Sequence, residues 1–272
     1  MKRIFIWCLF SIFAATTALS CSKHENINGG KENNGNEGNE TPGTTLPAPP
    51  DEIVEGNVFT VDFFSALDDK TFFLNRDYNT LASHIKRQVG KKPVAYMIDR
   101  ADFSVGETNR ILKIAKGTST YAYFAQNEKS GDNIRGTGLI TSYTINKYDG
   151  VAASSAYMSG LCMDISLNQT VPVCIYTSSI ESVDVLKKLI EVKGKELRSI
   201  GVLIGTFRQT EKERVVEYVK NEAGPVRFTI FGKESSAYDL FVMAPGSFAC
   251  RSITEEKTSD CPYYRILIEK LQ

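Results

Sequence analysis

From about residue 51 onward, apolar positions recur in two rhythms, and the two alternate. Short runs rich in β-branched and aromatic residues read as strands: Val58–Phe64, Pro93–Ile98, Tyr121–Ala125, Gly138–Ser142, Ile200–Gly205, Val226–Phe231, Leu240–Met243, Ser247–Arg251 and Tyr263–Glu269. Other stretches carry an apolar face at helical spacing. Asn79–Val89 has Leu81, Ile85 and Val89 at every fourth position, with Asn79 or Asp77 to cap it. Glu107–Ala115 is predicted to turn Ile111, Leu112 and Ala115 inward, and Ser182–Val192 and Glu211–Lys220 complete the helices. Ser159–Asp164 and Pro172–Thr177 form a hairpin about Asn168-Gln169, so Cys162 and Cys174, equidistant from residue 168, face each other if it is regular. Strands followed by helices, with hairpins interspersed, predict two packed sheets covered by helices in a single α/β domain over residues 51–272. Gly131–Gly138 lacks the spacing and the Lys-Ser/Thr of a phosphate loop and reads as a hairpin connection.

The chain start follows a different pattern. Met1-Lys2-Arg3 precedes an apolar stretch from Ile4 to Leu19, too short for a comfortable membrane span, and Ala18-Leu19-Ser20-Cys21 closes it. This resembles a bacterial lipoprotein signal over residues 1–20, which implies lipidation at Cys21 and a mature protein in the cell envelope, anchored to the outer membrane. Ser22–Pro50 holds six Asn, five Gly, four Glu and four Pro, with only Ile27 and Leu46 as large apolar residues, so residues 21–50 read as a flexible tether.

Charge and composition narrow the chemistry. The 32 basic and 32 acidic side chains cancel, which argues against a broad nucleic-acid surface. The two histidines leave almost nothing for a site that needs a pair: His24 falls in the tether, and His84 reads as a half-buried residue of the first helix. Without a CxxC pair, a zinc site is not expected either.

Six segments then carry a resemblance. Gly201–Arg208 (GVLIGTFR) is similar to the strand ending Gly-Asp-Phe-Asn of the endonuclease/exonuclease/phosphatase superfamily, and Ala237–Ala244 (AYDLFVMA) to its Tyr/Ile-Asp-x-Ile-x-Val strand. Ser259–Tyr263 (SDCPY) with Arg265–Glu269 resembles the terminal Ser-Asp-His-x-Pro segment and last strand. Gly136–Ser142 resembles the Gly-x-Ala-Ile-Leu-Ser strand, Ile175–Ser178 the strand ending Thr-His, and Val94–Asp99 the strand ending Gln-Glu. They occur in family order. The resemblance implies a four-layer α/β/β/α sandwich of the deoxyribonuclease I-like fold, and a site where oxygen ligands hold a divalent metal and an imidazole activates water.

Residue by residue, that site is degenerate. The histidine positions read Ser178 and Cys261, and the Asp and Asn of Gly-Asp-Phe-Asn read Thr206 and Arg208. Asp99, Asp239 and Asp260 survive, and Asp62 lies near the place of the expected Asn. Asp99 and Asp260 are the candidate metal ligands. Arg208 is expected to put a fixed positive charge where the metal would sit and to keep the capacity to grip a phosphate or carboxylate, while Asp239 pairs with it or accepts backbone hydrogen bonds. Cys250 and Cys261 flank a polar loop, Arg251 to Asp260, that a disulfide would close at the old histidine position. The reading is a binding protein without a cofactor, taking a small anion or protein ligand in a cleft around Asp99, Arg208, Asp239 and Asp260. Two alternatives stand beside it. One is a divergent metal-dependent phosphodiesterase, phosphatase or nuclease using Mg²⁺ or Mn²⁺ at Asp62, Asp99, Asp239 and Asp260; the other is a structural surface-assembly lipoprotein.

Overall fold

A computed structural model describes residues 56–65, 67, 75–91, 93–104, 109–153, 156–258 and 261–272. The expected signal over residues 1–20, the expected lipidation at Cys21 and tether over residues 21–50, His24 and Asp260 lie outside the described residues. The elements in chain order are β1 (Val58–Phe64), α1 (Asn75–Gln88), β2 (Ala95–Ser104), α2 (Arg110–Thr118), β3 (Tyr121–Ser130), β4 (Asn133–Thr141), β5 (Ile145–Tyr148), β6 (Val151–Ala153), β7 (Ala156–Ser166), β8 (Thr170–Ile180), α3 (Val183–Leu197), β9 (Gly201–Arg208), α4 (Lys212–Asn221), β10 (Val226–Phe231), β11 (Tyr238–Pro245), β12 (Phe248–Thr258) and β13 (Cys261–Lys270).

Two sheets result. One has six strands in the order β12-β13-β1-β2-β4-β3, the other seven elements built on β10-β11-β9-β8-β7-β5, with β6 also paired to β7. Among the described strands only β1–β2 and β8–β9 run parallel, and α1 and α3 make the crossovers that parallel pairing requires. Alternation along each strand divides the apolar residues into three buried layers. Val61, Met97, Ile175, Val202, Val242 and Ile266 meet between the sheets. Leu186 and Leu189 of α3 and Val215 of α4 cover the opposite face of the seven-element sheet. Leu81 and Ile85 of α1, with Ile111 and Ile114 of α2, cover the outer face of the six-stranded sheet. The order helix, sheet, sheet, helix is the predicted four-layer sandwich.

Most element boundaries differ from the sequence reading in one direction: strands run longer. Arg251 to Asp260 is not a loop, because β12 continues to Thr258 and pairs with β13 throughout. This overturns the Cys250–Cys261 disulfide. Cys250 sits opposite Ile268 and Cys261 opposite Thr258, at opposite ends of the hairpin, and Cys250 is a free, buried thiol. Its burial pushes the thiol up to about 12. Cys162 and Cys174, in contrast, are register partners and form a disulfide. Most of Gly131–Gly138 belongs to β4, with only the turn at residues 131–132 as connection. Helix α1 begins before Asp77 and Asn79, so neither caps it, and Val89 falls past its end, exposed. In α2, Asn109 caps Ile111 and Leu112 through its side chain, and Ile114 is buried where Leu112 was expected.

Candidate functional site

The two parallel pairs end on the same side of the sandwich, where the carboxyl ends of β1, β2, β8 and β9 converge; such ends commonly frame sites in α/β folds. Residues of β8 and β9 with the parity of Val173, Ile175, Val202 and Ile204 face the other sheet. Beyond those apolar positions, that face carries Ser179, Thr206 and Arg208. The six-stranded sheet contributes Asp99, in line with Ala95 and Met97, and Ser65 at the end of β1.

A β-bulge shapes the centre. The pairing of β2 with β4 shifts between Ile98 and Ala101, so Asp99 and Arg100 together oppose Thr137. Arg100 takes a left-handed backbone conformation, φ 46°, which costs a non-glycine residue on the order of 1 kcal/mol. The extra residue lets Asp99 and its neighbour both face the cleft, while Ala101 resumes the outer, helix-covered face. The Asp99 carboxylate is then enclosed by donors. Oδ2 accepts from Ser65 Oγ at 2.8 Å and from Arg100 Nε at 3.0 Å. Thr206 Oγ1 reaches both carboxylate oxygens at 3.1 and 3.2 Å, and Ser179 Oγ stands 3.2 Å from Thr206 Oγ1. All of these side chains are buried. Burial alone would depress the Arg100 guanidinium, but Asp99 and the Tyr238 hydroxyl more than offset it, and its pKa is raised.

Tyr238 seals the centre. Arg100 Cζ lies 4.0 Å from the centroid of its ring and Arg208 Cζ 5.3 Å. Arg208 in turn donates from Nε to Glu181 at 2.6 Å, and the Tyr238 hydroxyl is 3.4 Å from the same carboxylate. Burial, then Glu181, raises the Tyr238 hydroxyl pKa. Arg208 and Glu181 are the partly exposed rim of the cleft (43% and 37% of the side chain), so their ion pair is worth at most about 1 kcal/mol.

Several predicted site residues are elsewhere. Ser178 has the parity of Cys174 and Tyr176, faces α3, and donates to the Tyr157 carbonyl at 2.6 Å; its neighbour Ser179 is the one in the cleft. Asp239 opposes Phe207 on the helix-covered face, fully buried, where Lys212 Nζ at 3.0 Å and Gln209 Nε2 at 3.0 Å hold it. It therefore pairs with neither Arg208 nor Asp99. Asp62 lies on the outer face of the other sheet, bonded to His84 Nε2 at 3.0 Å and to Arg265 Nε at 3.0 Å. His84 is buried rather than half-exposed, boxed by Phe64, Tyr96 and Tyr263. A rebuilt carboxylate site of Asp62, Asp99 and Asp239 is thus not assembled, because two sheets separate its members. The guanidinium on Asp99 is that of Arg100, while Arg208 pairs with Glu181.

The residues at this centre do not fit a divalent cation as they stand. Among the described residues of the cleft, Asp99 is the one carboxylate at its floor, and a guanidinium already neutralises it. One other described group approaches metal-site geometry: single ligand atoms of Asp149, Cys162 and Cys174 lie within 4.8 Å of one another. There the sulfurs are bonded to each other, and Lys193 at 2.6 Å and Lys147 at 3.3 Å stand on the carboxylate.

Ser65, Ser179, Glu181, Tyr238 and above all Arg100 escaped the sequence reading. Neighbouring strand residues point to opposite faces, so an Asp-Arg pair gives no sign that both face one cleft.

No family model matches the chain, and no curated protein does. Solved structures do. An endonuclease/exonuclease/phosphatase family protein from Leptotrichia buccalis C-1013-b superposes with a TM-score of 0.53 at 10% identity, covering 78% of this chain and 99% of its own. ANGEL2, a 2',3'-cyclic phosphatase in complex with adenosine-2',3'-vanadate, gives a TM-score of 0.47 at 6% identity, over 84% and 100% of the two chains. A humanized TDP2 of D. rerio gives 0.46 at 12%, over 79% and 100%. With its two sheets, its paired crossovers and its outer helices, the chain has the deoxyribonuclease I-like fold of the endonuclease/exonuclease/phosphatase superfamily.

Proposed function

We propose that this chain is a cell-envelope lipoprotein, anchored to the outer membrane through Cys21, whose deoxyribonuclease I-like domain acts by binding and has lost metal-dependent hydrolysis. One observation supports the loss above the others: the described cleft positions hold hydroxyls, a tyrosine and two carboxylates each paired with a guanidinium, while the one described imidazole, His84, belongs to the opposite face of the six-stranded sheet. Serine and threonine have no pKa near neutrality and are no unassisted general base on water, and the two described carboxylates of the cleft, Asp99 and Glu181, are each engaged by a guanidinium. Binding would fall to the rim. There Arg208 and Glu181 present one charge of each sign to a small anion or a protein ligand.

Full-length protein incubated with Mn²⁺ or Mg²⁺ and either plasmid DNA or a chromogenic phosphodiester is expected to show no turnover above buffer. Turnover that Asp99→Asn abolishes would overturn the reading. In the same preparation, Cys21→Ala is expected to move the protein from the membrane fraction to the soluble one, and retention in the membrane would overturn the anchor.

A further inference from the structure

We propose that Arg100 is a built-in counter-cation: its guanidinium holds the place at the Asp99 carboxylate that a divalent metal would take, and removing that one charge opens a site for a hard cation made of Asp99, Ser65 and Thr206. This deepens the reading of a domain that has lost hydrolysis, and rests on it.

Three observations carry the inference. The bulge sets Asp99 and Arg100 together against Thr137 and holds Arg100 at φ 46°; its result is a cation on the carboxylate next to it in sequence. The carboxylate is buried and reached by donors from both sheets, Ser65 and Thr206, so loss of the guanidinium leaves a buried, uncompensated anion that a bound cation would stabilise. The described groups that bond the Asp99 carboxylate besides Arg100, the Ser65 and Thr206 hydroxyls, are oxygens, the ligand type that Mg²⁺ and Mn²⁺ prefer over softer donors. The same two hydroxyls that now donate to Asp99 can turn their lone pairs to a cation. The guanidinium packs 4.0 Å from the centroid of the buried Tyr238 ring, and at this burial a charge is weakly screened.

The test compares the wild type with Arg100→Gln, which keeps most of the side chain's length without its charge, and Arg100→Gly, which also relieves the left-handed backbone. Each is titrated with Mn²⁺, followed by thermal melting and by the electron paramagnetic resonance signal of free Mn²⁺. The wild type is expected to melt at the same temperature with Mn²⁺ or with chelator. Both variants are expected to melt lower in chelator and to regain about 5 °C at Mn²⁺ a hundredfold above its Kd, with one ion bound. Asp99→Asn added to either variant should abolish the gain. If one variant does not fold, the other decides; if neither folds in chelator, refolding on addition of Mn²⁺ supports the proposal and failure to refold overturns it. Folded variants that bind no Mn²⁺ overturn it, as does a wild type that binds Mn²⁺ in an Asp99-dependent manner. Phosphodiester turnover by the wild type would instead overturn the loss of hydrolysis, so the two failures are read separately.

Discussion

Asp149 shows how one buried charge is kept in this protein. It is 1% exposed, and accepts from the Tyr176 hydroxyl at 2.5 Å and from Lys193 at 2.6 Å. Burial pushes its carboxyl up, but the hydrogen bonds of Lys193 and Tyr176 and the charges of Lys193 and Lys147 outweigh this and leave it below the ordinary 3.8. A carboxyl with a depressed folded pKa contributes stability that is full above its unfolded value and is lost as pH falls through the folded one. Asp149→Asn is therefore expected to cost about 3 kcal/mol at pH 7, and the gap to wild type should close below about pH 4; urea midpoints from pH 7 to pH 3 measure both. At this scale the sequence was only partly legible. Asp99 could be located from its place at the end of an apolar run, yet whether Ser178 or Ser179 faced the cleft depended on a register that an error of one residue inverts.

Elements were more legible, because burial on one face stamps a period on the sequence. Val58–Phe64 and Val226–Phe231 have the bounds their patterns predict. Elsewhere the pattern stopped short of the strand, since polar residues such as those of Arg251–Thr258 pair through their backbones as readily as apolar ones. The short edge segments β5 and β6 carry too few residues for any rhythm to register. The hairpin of β7 and β8 was placed by symmetry about its turn, and its disulfide tests that placement. Closing a loop of this size contributes about 3 kcal/mol by restricting the unfolded chain. The double variant Cys162→Ala/Cys174→Ala should lose up to that amount in a denaturant titration, and a reductant should then shift the wild type but not the variant.

The described domain is three apolar layers between four of backbone, and Cys250 sits in the middle layer, between the sheets. A thiol there reacts only when the sheets part, both because it is 4% exposed and because burial keeps it protonated. Alkylation of Cys250 is expected to be slow in native buffer and to rise with the fraction unfolded across a urea titration; rapid native labelling would show that the sheets separate locally. The layering itself was legible from strand and helix alternation. What a linear pattern does not carry is which face each polar residue joins, and this is why Asp62 and Asp239, acidic and near the expected places, belong to outer layers.

The stack of Arg100, Tyr238 and Arg208 has a mechanical side. Arg100 extends from the six-stranded sheet, Tyr238 and Arg208 from the other, and the Thr206 hydroxyl crosses the same gap to Asp99. Together they work as a hasp across the mouth of the sandwich. Under the proposed binding role, a partner would meet a face of fixed width instead of jaws that spread to admit it. Recognition would be a matter of shape and charge at first contact, with little conformational change to slow either arrival or departure.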